Sequence, residues 1–171
     1  MPHSTIRNSE PKEVLFRIKR GLTGYVSYLA ACEMNQSFSE YVLYEPILRI
    51  LTARGYSVSC EYECPGIMHP PQGDRKRIDF RALGHDIEIA MEVKWAKAAK
   101  INIKGDQEKL QAFLKARPQA FALLCVFGRK SHIEDIKLPA DIFKEQGPPL
   151  YAEFKKTRYG CRIFKLSLVK P

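Results

Sequence analysis

The chain predicts an α/β fold, a mixed central sheet flanked by helices, and three observations carry that reading. Apolar residues recur at helical spacing over about 11–35, 37–55 and 106–117. They recur at strand spacing over about 56–63, 76–83 and 87–94, and run unbroken over 119–127. The core order is therefore α-β-β-β-α-β, with an extra N-terminal helix before it and a C-terminal β hairpin after it. At 171 residues, 45% hydrophobic and 27% charged, the chain can bury a real core.

Ser9-Glu10-Pro11 opens the first helix, proline being suited to the first helical position. Val14, Leu15, Ile18, Leu22, Val26 and Leu29 form its apolar stripe, and Gly21 and Gly24 weaken it enough to allow a break. A second helix is expected from Ser37 to Gly55, with Tyr44, Ile47, Leu48 and Leu51 inward and Pro46 marking a kink or a fresh start. Residues 1–36 thus read as an N-terminal helical extension and 37–171 as one domain.

In the next segments Ile78, Phe80 and Ala82 face one way, and Arg77, Asp79 and Arg81 the other. Ile87, Ile89, Met91 and Val93 likewise oppose Glu88, Ala90, Glu92 and Lys94, which predicts two strands with a single apolar face each. A helix from Asp106 to Arg117 ends at Pro118 and precedes the apolar strand. Beyond it, 138–146 reads as a short helix, Gly147-Pro148-Pro149 as a break, and 150–155 with 161–169 as a hairpin turning at Arg158-Tyr159-Gly160.

Lys and Arg number 28 against 19 acids, a net charge of +9 that favours polyanions in a salt-dependent manner. The N-terminus lacks the apolar stretch of a signal peptide, and the longest apolar run, 120–127, is too short to cross a bilayer. A soluble cytoplasmic protein without a membrane partner is expected. The five cysteines include no Cys-x-x-Cys pair. Cys60 and Cys64 on one strand would stand about 13 Å apart, too far for a disulfide. Reduced thiols and no structural zinc follow.

The candidate site lies on the paired strands. If His85 and Asp86 form a two-residue loop, Gly84 pairs with Ile87, and counting outward sets Asp79 opposite Glu92. Opposed side chains share a face with Cβ atoms roughly 4.5–5.5 Å apart. Two carboxylates that close repel, and a hard divalent cation is the natural occupant between them. Lys94 follows on the same face about 6.6 Å along, where it can orient a cation-bound water or neutralise charge on a phosphate.

Asp79 followed by Glu92-x-Lys94, within that order of elements, resembles the PD-(D/E)XK nuclease superfamily from about Ser37 to Phe127. Ile78 stands where the family's name has proline. The resemblance implies a restriction-endonuclease-like core and Mg²⁺-dependent hydrolysis of DNA, with Mn²⁺ as a substitute. Asp79, Glu92 and the carbonyl of Val93 would be the metal ligands and Lys94 the catalytic lysine.

The family often adds a glutamate from the first core helix. Here Glu40, on the face of Tyr44, Ile47 and Leu51, is preferred over Glu45, although Ser37-Phe38-Ser39-Glu40 also fits a capping box. Gln107 resembles a polar position beside the catalytic lysine, while Asp106 reads as a helix N-cap. Lys97, Lys100, Lys104, Lys155, Lys156, Arg158, Arg162 and Lys165 are candidate phosphate contacts. The alternatives are a homodimeric Holliday-junction resolvase, a catalytically silent DNA-binding or regulatory protein of the same fold, and a toxin with an inhibitor protein as partner.

Overall fold

A computed structural model describes residues 11–33, 40–69, 73, 75–154 and 156–168. The first helix, α1 (Pro11–Ala31), runs unbroken through both glycines. At Gly21 a Cβ would come within 2.5 Å of Ile50 Cδ1, so the bare backbone lets the two helices approach closely. The second helical segment starts afresh, as Pro46 allowed. A 3₁₀ turn, Glu40–Leu43, leads into α2 (Tyr44–Ala53), with Pro46 in the first turn, where its missing N–H costs no helical hydrogen bond.

The sheet is mixed and has seven strands: β1 (Ser57–Glu63), β2 (Arg77–Leu83), β3 (Glu88–Ala96), β4 (Phe121–Arg129), β5 (Phe143–Glu145), β6 (Leu150–Phe154) and β7 (Thr157–Leu166). Their spatial order is β1-β2-β3-β4-β7-β5, with β6 also paired to β7. Among the described residues only β3 and β4 pair in parallel, joined by α3 (Lys104–Ala116), and the other pairs are antiparallel. A short α4 (Lys130–Ile133) follows β4.

Two apolar clusters fill the faces. Val14, Ile18, Leu22, Ile47 and Leu51 from α1 and α2 pack on Phe80, Met91, Val93, Leu123, Cys125 and Ile163. Leu110 and Phe113 of α3 pack on Ile78, Ala90, Ala122, Leu124 and Phe164. The expectation of one apolar face per strand fails for β3, where Ala90 and Glu92 are as buried as Met91. The reason is α3, which crosses over from β3 to β4 and covers the second face.

Two further expectations are corrected. The segment 138–146 holds strand β5 rather than a helix, since Phe143 pairs with Leu166 and Glu145 with Phe164. The last hairpin reverses between Phe154 and Thr157, not at Arg158-Tyr159-Gly160. Gly160 lies inside β7, where a Cβ would meet the Tyr151 ring at 2.4 Å; that glycine serves close packing, not a turn.

Candidate functional site

The turn between β2 and β3 has the expected length. Leu83 pairs with Glu88, Ala82 with Ile89, Arg81 with Ala90 and Phe80 with Met91, and Gly84 N donates to Ile87 O at 2.7 Å. One step further in this register Asp79 stands opposite Glu92. At that point the regular ladder stops, and Val93 N donates to the Asp79 carboxylate, Oδ2, at 2.7 Å. The side chain thus takes the place of a strand partner where β2 and β3 part.

The parting coincides with an irregularity on the other side of β2. Cys60 pairs with Phe80 and Tyr62 with Ile78, but the intervening Glu61 adopts a left-handed backbone, φ 51°, opposite Asp79. Strict alternation is lost there. Phe80 and Ala82 join the cluster under α1 and α2, whereas Ile78 joins the cluster under α3. The expectation that Ile78, Phe80 and Ala82 share one face is therefore corrected, and the kink turns Asp79 into the gap between the two layers.

Around the two acids lies a dense ionic network. Glu92 is only 1% exposed; Lys109 Nζ reaches its Oε2 at 2.5 Å and also donates to Arg77 O at 3.0 Å. Glu92 Oε1 is buried without a hydrogen-bond partner among the described residues. Lys94 Nζ is 3.0 Å from Asp106 Oδ2 and 3.7 Å from Glu40 Oε1, and Asp106 Oδ1 is 3.7 Å from Lys109 Nζ. Asp106 therefore bridges the two lysines. Tyr44, from the start of α2, donates its hydroxyl to Glu61 at 3.4 Å and lies close enough to Asp79 to influence its charge.

The electrostatics follow from burial. Desolvation, then the neighbouring Asp79, push the Glu92 carboxyl up to about 9 against the pull of Lys109. Burial also raises Asp79, more than the Tyr44 hydroxyl and Val93 amide lower it. For Lys94 burial acts downward and is outweighed by Asp106, then Glu40 and Glu92, which hold it in its ammonium form.

The predicted residues come together unevenly. Asp79, Glu92 and Lys94 converge. Glu40 Oε1 accepts from Trp95 N at 3.0 Å and so reaches the Lys94 end of the site, whereas Glu45 is exposed and pairs with Arg49. The capping partners Ser37 and Ser39 lie outside the described residues. Asp106 is not the N-cap: the helix begins at Lys104 after Ile103, and Asp106 sits in its first turn facing Lys94. Asp106 thus stands beside the lysine, and Gln107, the residue preferred for that place, follows it half-buried in the same turn. Arg162 is turned inward onto Glu145 and the carbonyls of Ile133 and Ile136, not outward as a phosphate contact would be.

Lys109 is the member the sequence reading missed. Its signal was present: it follows Asp106 by three residues and precedes the buried Phe113 by four, so it shares the inner stripe of α3. Lys109 and Asp79 open onto a cleft of about 490 Å³ that Tyr41, Arg75, Lys76 and Arg77 also line.

Two carboxylates, one oxygen of them buried and idle, are what this site offers a cation. The idle, buried Glu92 oxygen lacks a positive partner, and both acids are driven toward neutrality without one. Among the described residues there is no group of three or more His, Cys, Asp or Glu side chains that could hold a metal ion, so any ion bound here would need main-chain, water or ligand oxygens as well. No helix of the described residues is long and apolar enough to cross a membrane. No family model matches the chain, and neither a curated protein nor a solved structure matches it.

Proposed function

We propose that this protein is a Mg²⁺-dependent endonuclease that hydrolyses phosphodiester bonds of DNA on a restriction-endonuclease-like core. The observation that carries the reading is the opposed pair Asp79 and Glu92, one oxygen of which is buried and idle, beside a lysine kept charged. Asp79, Glu92 and the Val93 carbonyl would hold the ion, which when bound supplies a more acidic water and neutralises phosphate charge.

The chain's own residues divide the remaining work. Lys94, fixed by Asp106 and Glu40, presents a permanent cation to the phosphate and steadies charge that grows in the transition state. Being held as an ammonium, it orients rather than accepts a proton. The Val93 amide fixes the Asp79 carboxylate, and the Arg75-Lys76-Arg77 lip of the cleft would meet a polyanion. The choice of DNA rests on the family resemblance.

Incubation with supercoiled and linear DNA in Mg²⁺ tests the proposal. Nicking is expected from the native protein, reduced about a hundredfold or more in Asp79→Ala and in Lys94→Ala. Undiminished nicking in both variants would refute it. Inactivity of the native protein at every Mg²⁺ and Mn²⁺ level would favour the catalytically silent alternative.

A further inference from the structure

We infer that Lys109 is a positioning residue that competes with the divalent cation for Glu92 and thereby makes cation binding and phosphate binding cooperative; this deepens the nuclease reading and rests on it. Lys109 Nζ holds Glu92 Oε2 at 2.5 Å while Oε1 stays idle, so the ammonium satisfies half of a carboxylate whose other half awaits a positive partner. A divalent ion on Glu92 brings like charge to within a few ångströms of that ammonium, beside a carboxylate only 1% exposed, where water screens the repulsion less than at the surface. The two cations therefore oppose each other for as long as Lys109 remains where it is.

Lys109 has somewhere else to go. It lines the same cleft as Arg75 and Lys76, and its side chain retains some exposure there. Asp106, shared with Lys94, stands 3.7 Å from its Nζ and tethers it on that side. A phosphate entering the cleft offers the ammonium a new anionic partner and releases Glu92 to the ion. Without phosphate the lysine keeps Glu92 and weakens the ion's hold. By linkage the effect is reciprocal: the ion must tighten phosphate binding by the same factor.

Two equilibrium measurements separate this from a purely structural role. Binding of Mn²⁺ alone, followed by the electron paramagnetic resonance of the free ion, is expected to be about tenfold tighter in Lys109→Met than in the native protein, and unchanged in Lys109→Arg. The affinity for a fluorescein-labelled phosphorothioate DNA duplex, read by anisotropy in EDTA and in Mn²⁺, should be raised by Mn²⁺ more in the native protein than in Lys109→Met.

Lys109→Gln replaces Lys109→Met if circular dichroism shows the latter unfolded. Equal Mn²⁺ affinities, with equal enhancement of DNA binding, would overturn the inference while leaving the metal site intact. Failure of the native protein and both neutral variants to bind Mn²⁺ would overturn the nuclease reading and the inference together.

Discussion

Lys19 and Lys109 are both drawn in from water, and their surroundings differ in kind. Lys19 of α1, 3% exposed, donates to the carbonyls of Gln146 and Pro148 at 2.9 and 2.7 Å. Gly147 between them adopts φ 68°, which bends both carbonyls toward one ammonium. Burial lowers the affinity of Lys19 for its proton. Lys109 is instead held by carboxylates, Glu92 first, which raise its affinity for a proton against the same penalty. Main-chain carbonyls cannot be surrendered without unfolding the loop, whereas a carboxylate can exchange one cation for another. The first lysine fastens the chain; the second occupies a site with a replaceable occupant.

The sharpest test of that contrast is Lys19→Met. Two carbonyls lose a charged donor, and urea unfolding should show a loss of about 3 kcal/mol, with turnover per folded molecule unchanged. A matching loss of turnover would erase the distinction between the two regions.

Next in size is a pH effect confined to the second region. The unfolded chain releases the Glu92 proton near 4.5 and the folded chain near 9, so the folded state binds more protons between those values. The contribution to stability is present in full below the lower value and is lost as pH rises through the upper one. In EDTA the melting temperature should fall by roughly 4 °C or more between pH 5 and 9. Glu92→Gln should flatten the slope, and excess Mg²⁺ should reverse it at the alkaline end.

The smallest expected effect comes from Asp106→Asn, which removes the bridge between the two lysines. Stability should drop by about 1 kcal/mol, and lysine-selective NMR should show the Lys94 ammonium titrating at lower pH than in the native protein. An unchanged Lys94 titration would mean that Asp106 does not govern it.

Much of this was legible beforehand, for identifiable reasons. A two-residue turn fixes register by arithmetic, so opposing Asp79 and Glu92 needed only His85-Asp86 as the loop. The order of helices and strands followed from periodicity. The kink at Asp79 did not, because it depends on Glu61, a residue with no sequence preference for a left-handed backbone, in the neighbouring strand. Nor could β5 be seen, since three residues carry no period and exist as a strand only by pairing with β7. Lys109 was obscured for a related reason: on a helix rich in lysine and glutamate, only the depth of Leu110 and Phe113 beside it shows that this lysine points inward.

The hydrogen bond from the Val93 amide to Asp79 has a consequence for the order of events. A free aspartate must give up rotational freedom when a ligand arrives, and that loss weakens binding. Here the main chain has already selected the rotamer during folding, and an ion would meet a carboxylate that has nothing left to search. The same bond makes the Val93 amide a spectator with a direct view: its hydrogen-exchange rate reports how firmly Asp79 is held, so a ligand's arrival could be timed at this proton without any turnover at all.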